Sequence, residues 1–400
     1  MYIDETIKET PFQVGHPVNP ENFKGRMDII QNMNRYMINT VKGEAQHFFI
    51  TGKRAMGKTS LAGYMKNLAQ KKYKMIGVHI LNDGEHDIES LIKQIIENLL
   101  SEIESESWYD KIFNKLKDNI KSAGAYGFHV ELNSNSGDFI NSVKDNFPRF
   151  LTDLTNDFEG KKGIFLIIDD INGLTETPEF ANWYKSFADT MATTFFGKCN
   201  IAIMLTGYPD KLQTLFNHNP SFNRIFKHYD LDPLKDNEVS SFFVDTFKKV
   251  RTRIDDDALE KMIYFSAGMP TMMQEIGDAV FWEDDDYFIN DTDANKGIIE
   301  AGSQIGKKFV RPEIEASMYS EKYRSILLKM GKHRIIAFKK GDFEKNLTEN
   351  EKKVFTDFLR KATELKILEH IGPPRSGKYK FPNLLFPLYL ATLSIREEKL

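Results

Sequence analysis

Two groups of residues carry recognisable chemistry. In residues 47–60, HFFITGKRAMGKTS, Gly52 is followed, after Lys53, Arg54, Ala55 and Met56, by Gly57, Lys58, Thr59 and Ser60. Glycines at these places let backbone N–H groups close around phosphate oxygens with no Cβ in the way, and a helix starting there adds partial positive charge. Lys58 would bring a full positive charge to the β and γ phosphates. The Thr59 hydroxyl can join the shell of Mg²⁺, an ion that keeps several waters and few protein ligands. The second group ends the run GIFLIIDD, residues 163–170. Asp169 would hold the Mg²⁺ shell through water, and Asp170 stands where a carboxylate can orient or deprotonate an attacking water. An apolar run ending in two carboxylates also describes a plain strand entering a polar turn; the glycine-rich loop upstream is what gives it chemical meaning.

These side chains need elements to hold them. Residues 48–51 are apolar or β-branched and predict a buried strand, while Leu61, Ala62, Tyr64 and Met65 recur at helical spacing. A strand therefore feeds a helix through a glycine turn. Residues 75–81, 199–206 and 228–231 predict further strands. The short β-rich run 163–170, bounded by Gly163 and Gly173, predicts a central parallel strand whose carboxyl end opens on a ligand crevice. Helices are expected over 83–100, where Ile88, Leu91, Ile92, Ile95, Ile96 and Leu99 share a face, and over 177–191, with Thr177 as cap and Pro178 at the first helical position. Within 108–137, alternation of Tyr126, Phe128, Val130 and Leu132 predicts an inserted strand or hairpin. Residues 1–22, broken by Pro11, Pro17 and Pro20, read as an irregular surface arm.

Composition bounds the answer. The chain has 400 residues, enough for two or three domains, with a hydrophobic fraction of 41% and a charged fraction of 28%. No apolar run reaches the ~18 residues of a membrane span. The start, MYIDETIKET, lacks the apolar core of a secretory signal, so a cytoplasmic location with no membrane partner is expected. A single cysteine, Cys199, excludes an internal disulfide and a zinc cluster. Charge is uneven: residues 311–400 hold 19 Lys and Arg against 12 Asp and Glu, a net +7, and the remaining 35 against 46 leave −11 in residues 1–310. The basic end suits an anion such as nucleic acid, or is a solvated, mildly basic domain.

Residues 235–310 read as helices. Val239, Phe242, Phe243, Phe247 and Val250 form one apolar face; Ala258, Met262, Ile263 and Phe265 form the next, which ends at Gly268-Met269-Pro270. The acidic residues 283–286 lack the Gly and Glu frame of a calcium loop and read as a solvated loop. Beyond residue 311, helices are expected over 323–330, 338–347 and 348–365, the last opened by a capping box of Thr348 and Glu351. Strands at 366–371 and 378–381 follow. Three helices and a hairpin make a winged helix-turn-helix. Lys352, Lys353, Arg360 and Lys361 lie on its third helix, and Arg375, Lys378 and Lys380 flank the wing, as meeting phosphates and a groove requires. The same helix carries Val354, Phe355, Phe358 and Leu359 for packing, and such domains also bind protein.

Taken in order, Phe23-Lys24-Gly25-Arg26, the glycine-rich loop, GIFLIIDD, Thr206, Arg224, Gly268-Met269-Pro270 and the C-terminal helices and hairpin resemble the prokaryotic origin-recognition-like and STAND branch of AAA+ P-loop ATPases, over residues 20–395. The resemblance implies an α/β fold: a three-layer parallel five-stranded sheet, a helical lid and a winged helix-turn-helix, divided at 1–234, 235–310 and 311–400. It implies ATP and Mg²⁺ as ligands, with Phe23, Gly25 and Arg26 covering the base, residues 52–60 on the phosphates and Pro270 in the lid. Thr206 resembles sensor 1 near the γ-phosphate, although a Thr before a turn also serves as a cap. Arg224 stands where an arginine reaches a neighbouring subunit's γ-phosphate, and a loop arginine is as readily just solvated. Many members carry Glu where Asp170 stands, and the sensor 2 arginine is missing near Pro270; both point to slow hydrolysis. The expected function is an ATP-binding, slowly hydrolysing switch that couples nucleotide state to double-stranded DNA binding and to homo-oligomer assembly. The alternative is a STAND-type signalling or defence ATPase whose winged helix binds a protein partner and whose ATP state controls oligomerisation.

Overall fold

The computed structural model describes residues 8–82, 84, 87–102, 136–157, 160–306, 308, 320–333, 335–365, 367–373, 376–381 and 385–398. The strand or hairpin expected at Tyr126, Phe128, Val130 and Leu132 lies outside these residues, as does Arg375. The chain forms two compact units, Pro17–Asp232 and Met1–His16 with Pro233–Leu400.

The first unit is built on five parallel strands: β1 (Gln46–Gly52), β2 (Ile76–Leu81), β3 (Ile164–Asp169), β4 (Ile201–Gly207) and β5 (Lys227–Leu231). Their order is β2-β3-β4-β1-β5. The central strands are apolar over most of their length because both faces are covered. On one face, Phe49, Ile80, Leu166 and Leu205 pack with Leu91 and Ile92 of α3 (Ile88–Ser101) and with Phe180 and Tyr184 of helix Pro178–Thr193. On the other, Phe48 meets Tyr36 of α1 (Met27–Val41), ring centroids 6.1 Å apart. Helix α2 (Lys58–Tyr73) leaves β1 through the glycine-rich loop. The register sets Leu81 beside Asp169, Ile168 beside Leu205 and Ile50 beside Thr206. Asp169 and Thr206, near the ends of neighbouring strands, are thereby gathered at one edge with the loop that follows β1.

The second unit opens with the arm. Phe12 is buried between Phe247 and Phe242, with centroids at 4.9 and 5.9 Å. A Cβ on Gly277 of helix Pro270–Glu283 would lie 2.1 Å from the Phe12 ring. Gln13 N–H donates to Gln274 Oε1 at 2.8 Å. Residues up to 16 therefore belong with the helices after residue 232, which departs from the expected 1–234 domain. A lone Phe among prolines has no periodicity, so nothing local names its partner. Asp284 departs from the solvated loop expected at 283–286: it is buried, lies 3.7 Å from Lys8 Nζ, and accepts the N–H groups of Asp286 and Phe288 at 3.2 and 3.1 Å. Gly268, at φ 67°, turns the chain between helices Asp256–Ser266 and Pro270–Glu283 against Leu234, whose carbonyl oxygen would meet a Cβ at 2.2 Å.

Towards the C-terminus come helix Glu321–Lys332, β8 (Ala337–Lys339), the four-residue helix Lys340–Phe343, helix Glu349–Glu364, β9 (Glu369–His370), β10 (Lys378–Lys380) and helix Leu385–Glu398. A short parallel pair, β6 (Arg253–Ile254) and β7 (Phe288–Ile289), precedes them. Strands β8, β10 and β9 make an antiparallel three-stranded sheet. The helix expected over 338–347 is replaced by β8, the four-residue helix and a 3₁₀ turn at Glu344–Asn346. Phe338 stacks on Tyr379 across the strands at 5.6 Å, while Phe343 turns to Phe355 at 5.7 Å. Apolar spacing that reads as one helix thus serves a strand pair and then a helix contact. Thr348 and Glu351 do form the expected capping box.

Candidate active site

The loop between β1 and α2 is shaped by Gly57, at φ 81°, a left-handed conformation that costs glycine little. Ala55 is also left-handed, at φ 71°. Lys58 Nζ donates to the carbonyls of Gly52 and Lys53 at 2.8 and 3.3 Å and lies 4.6 Å from the centroid of the Tyr208 ring. Burial pulls the Lys58 ammonium below its usual range, while the charges of Asp170 and Asp169 act in the opposite direction. Met56 is buried, Lys53 and Arg54 are exposed, and Ser60 Oγ accepts the N–H of Val18 at 3.2 Å.

Asp169 ends β3 and is 1% exposed. His79 Nε2, from β2, lies 3.2 Å from its Oδ2, and the Thr206 hydroxyl, from β4, donates to its Oδ1. Burial would raise its pKa, but hydrogen bonds from His79, Thr206 and Thr59 hold the carboxyl below the usual range. Asp169 therefore stays ionised at neutral pH. Thr206 is fully buried, and its hydroxyl also accepts the N–H of Asp170 at 3.0 Å. One hydroxyl thus holds both carboxylate residues.

Asp170 is exposed and left-handed, at φ 63°. Its carbonyl accepts from Asn82 Nδ2 at 3.4 Å, and its carboxylate accepts from Asn172 Nδ2. The other end of the Asn172 amide, Oδ1, accepts the N–H of Tyr208 at 3.0 Å. Phe23 stacks on Tyr64 of α2 at 4.9 Å. Gly25 and Arg26 are left-handed, at φ 79° and 60°, and the buried Arg26 donates to Met56 O at 3.5 Å, tying this segment to the loop. Arg224 is exposed at the end of a 3₁₀ turn, and Pro270 opens a helix of the second unit.

Lys58, Thr59, Asp169, Asp170 and Thr206 are thus brought together, with Phe23 and Arg26 flanking the loop; among the described residues no hydrogen bond or ion pair joins Arg224 to them. His79, Asn82, Asn172 and Tyr208 escaped the sequence reading. Asn82, Asn172 and Tyr208 are each a polar or aromatic residue within three positions after an apolar strand, which is the signal that could have found them; His79 lies inside β2, where nothing in the sequence marks it. The residues fit their ligands. The loop N–H groups and the start of α2 suit a phosphate chain, and the carboxylate of Asp169 with the hydroxyl of Thr59 offers the hard oxygen donors that Mg²⁺ takes.

On the C-terminal region, Lys353 and Lys378 are exposed. Arg360 pairs with Glu364 and Asp357 at 3.1 and 3.5 Å, Lys352 with Glu349 at 2.7 Å, and Lys380 with Glu369 at 2.9 Å.

No family model and no curated protein matches the chain. Solved structures do. The chain is similar to the Aeropyrum pernix ORC2 protein in its ADPNP-ADP complexes, at 11% identity over 97% of this chain and 99% of that one, with a TM-score of 0.56. It is also similar to CDC6P from Pyrobaculum aerophilum, at 15% identity over 93% and 94% of the two chains, with a TM-score of 0.48. A third match is the Aeropyrum pernix ORC1 protein in complex with DNA, at 10% identity over 94% and 95%, with a TM-score of 0.45. The chain shares the fold of that ORC2 protein, an α/β fold of the AAA+ P-loop kind, resting on this match and on the parallel sheet described above.

Proposed function

We propose that the chain is an ATP-dependent switch: ATP with Mg²⁺ binds at the carboxyl edge of the five-stranded sheet, is hydrolysed slowly, and through its state controls duplex DNA binding by the C-terminal winged helix. The observation that carries this reading is the buried Asp169, bonded to His79 and Thr206 at the end of β3, with Asp170 beside it and both carboxylates acting on the Lys58 ammonium of the glycine-rich loop. The ORC2 structure, of ADPNP-ADP complexes, supports nucleotide binding. Lys58 and the loop N–H groups hold the phosphates, and Thr59 and Asp169 hold the metal shell. Bound Mg²⁺ neutralises phosphate charge. Thr206 keeps the two carboxylates in place rather than reaching for phosphate, since its one hydroxyl proton is already given to Asp169. Asp170 orients the attacking water, and its reach, shorter than that of Glu, makes turnover slow. Phe23, Gly25 and Arg26 border the base. The exposed Arg224 suits the γ-phosphate of a neighbouring copy and so a nucleotide-dependent homo-oligomer.

One observation favours the protein-binding alternative. Arg360, Lys352 and Lys380 are already matched by carboxylates beside them, which lowers the charge left for phosphates. Titration of duplex DNA with ATP, with ADP and without nucleotide separates the readings. The DNA reading expects nucleotide-dependent affinity and, for contact with ~4 phosphates, a log–log salt slope of roughly −3.6. No binding at low salt would leave the protein-partner reading, which requires a change in mass with a non-hydrolysable ATP analogue.

A further inference from the structure

We propose that Asn172 is a positioning residue for Asp170: its side-chain amide holds the Asp170 carboxylate against the turn that follows β4 and so sets where the attacking water is held. This rests on the reading of the sheet edge as an ATP-hydrolysing site. The argument begins with the backbone. Asp169 and Asp170 are neighbours in sequence, yet Asp169 is extended and buried at the end of β3 while Asp170 is left-handed, at φ 63°, and exposed. Strand geometry therefore fixes the direction of the first carboxylate and leaves the second to side-chain contacts. The second is also the one whose aim decides the reaction, because a general base acts only within hydrogen-bond reach of its water.

The contact it has with Asn172 is specific in its chemistry. Asn172 Nδ2 donates to Asp170 Oδ1, and Asn172 Oδ1 accepts the N–H of Tyr208 at 3.0 Å. A backbone N–H only donates, so the amide must present its oxygen to Tyr208 and its nitrogen to Asp170. A carboxamide of this length does both at once; an aspartate in its place would keep the bond to Tyr208, lose the donor and set a like charge beside Asp170. The turn that Asn172 grips is already a fixed reference. Ile171 N–H donates to Thr206 O at 3.0 Å, and the Thr206 hydroxyl carries Asp169 and the N–H of Asp170. Both carboxylates are thus aimed by way of the end of β4 and the residue after it, Asp169 by Thr206 and Asp170 by Asn172 through its bond to Tyr208. The same turn carries the Tyr208 ring, 4.6 Å from Lys58 Nζ.

The test uses the full chain, with steady-state ATP hydrolysis in Mg²⁺ beside equilibrium binding of a fluorescent ATP analogue. Asn172→Ala is expected to lower kcat about 10-fold or more, the scale of a misaimed catalytic group, with the dissociation constant within about twofold of wild type. Asn172→Asp, which keeps the bond to Tyr208 and serves if the alanine variant unfolds, is expected to fall at least as far. In an Asp170→Asn background, Asn172→Ala is expected to cost nothing more, because a positioning residue has nothing left to position. Three results would overturn the proposal: kcat of both Asn172 variants within twofold of wild type, an equal loss in binding and kcat, or an undiminished further loss in the Asp170→Asn background. A wild-type chain with no Mg²⁺-dependent turnover overturns the reading of the site itself and the proposal with it. A wild-type chain that turns over ATP beside unaffected variants overturns the positioning role alone.

Discussion

At the carboxyl edge of the sheet, Asp169 and Thr206 are buried and bonded across strands to His79 and to each other, residues 79, 169 and 206 of the chain meeting at one point. On helix Glu349–Glu364, Arg360 and Lys352 are matched, among the described residues, to residues three or four places away, and the Arg360 side chain is 67% exposed. The first arrangement exists only when the sheet is assembled, and each member depends on the others. The second consists of screened surface charges that contribute nearly independently. Substitutions at the sheet edge should therefore act steeply and together, and those on the basic surface weakly and one by one.

The steepest effect is expected at the loop. Lys58→Ala should lower kcat/KM for ATP on the order of 10³-fold, the scale of a lost phosphate-stabilising donor, as read by steady-state hydrolysis. A loss below tenfold would put Lys58 outside the phosphate site.

Next comes acid lability, which separates the units. In the sheet unit, His47 Nδ1 lies 2.8 Å from the Tyr184 hydroxyl among buried aromatic rings, and burial lowers its pKa from 6.5 to about 4. The unfolded chain takes up this proton near 6.5 and the folded chain only near 4. The stability held above pH 6.5 is thus lost as pH falls towards 4, to a total of about 3 kcal/mol. In the second unit, burial tends to raise the pKa of Glu351, but bonds from Lys329, Ser325 and Thr348 bring it to about 2. Its contribution, present above pH 4.5, is lost only on going further towards 2. Urea unfolding at pH 7 and pH 5 should show the sheet unit weakening first, and His47→Gln should flatten that difference. An unchanged pH dependence in the variant would contradict the assignment to His47.

Thr206→Val keeps the side-chain shape and strands two polar groups, Asp169 Oδ1 and the Asp170 N–H. Thermal or urea unfolding should show a loss of about 1–3 kcal/mol, with a weaker dependence of ATP binding on Mg²⁺. The smallest effect is expected on the other side of the comparison. Lys353→Ala should leave stability unchanged and reduce the salt slope of DNA binding by about 0.9 if that lysine meets a phosphate.

Much of the fold was legible, because the loop 52–60 and the run 163–170 are local patterns: glycine spacing, apolar continuity and a terminal carboxylate all lie within a dozen positions. The strand order β2-β3-β4-β1-β5 decides what those patterns touch. His79 meets Asp169, and Thr206 meets Asp169 and Asp170, only because β2 and β4 flank β3, and no spacing in the sequence records that. Phe12 was illegible for the same reason, since its partners Phe242, Phe247 and Gly277 lie more than two hundred residues away. Phe338 was misread because one apolar residue fits a helix face and a strand pair equally well, and its pairing with Tyr379 decides for the strand.

The most direct test of the proposed ATP site is an equilibrium titration of a fluorescent ATP analogue into wild-type protein and Lys58→Ala, with and without Mg²⁺. Saturable binding that Mg²⁺ strengthens in the wild type and that the variant loses is the predicted result. Equal binding by the two proteins, or none by the wild type, would contradict it.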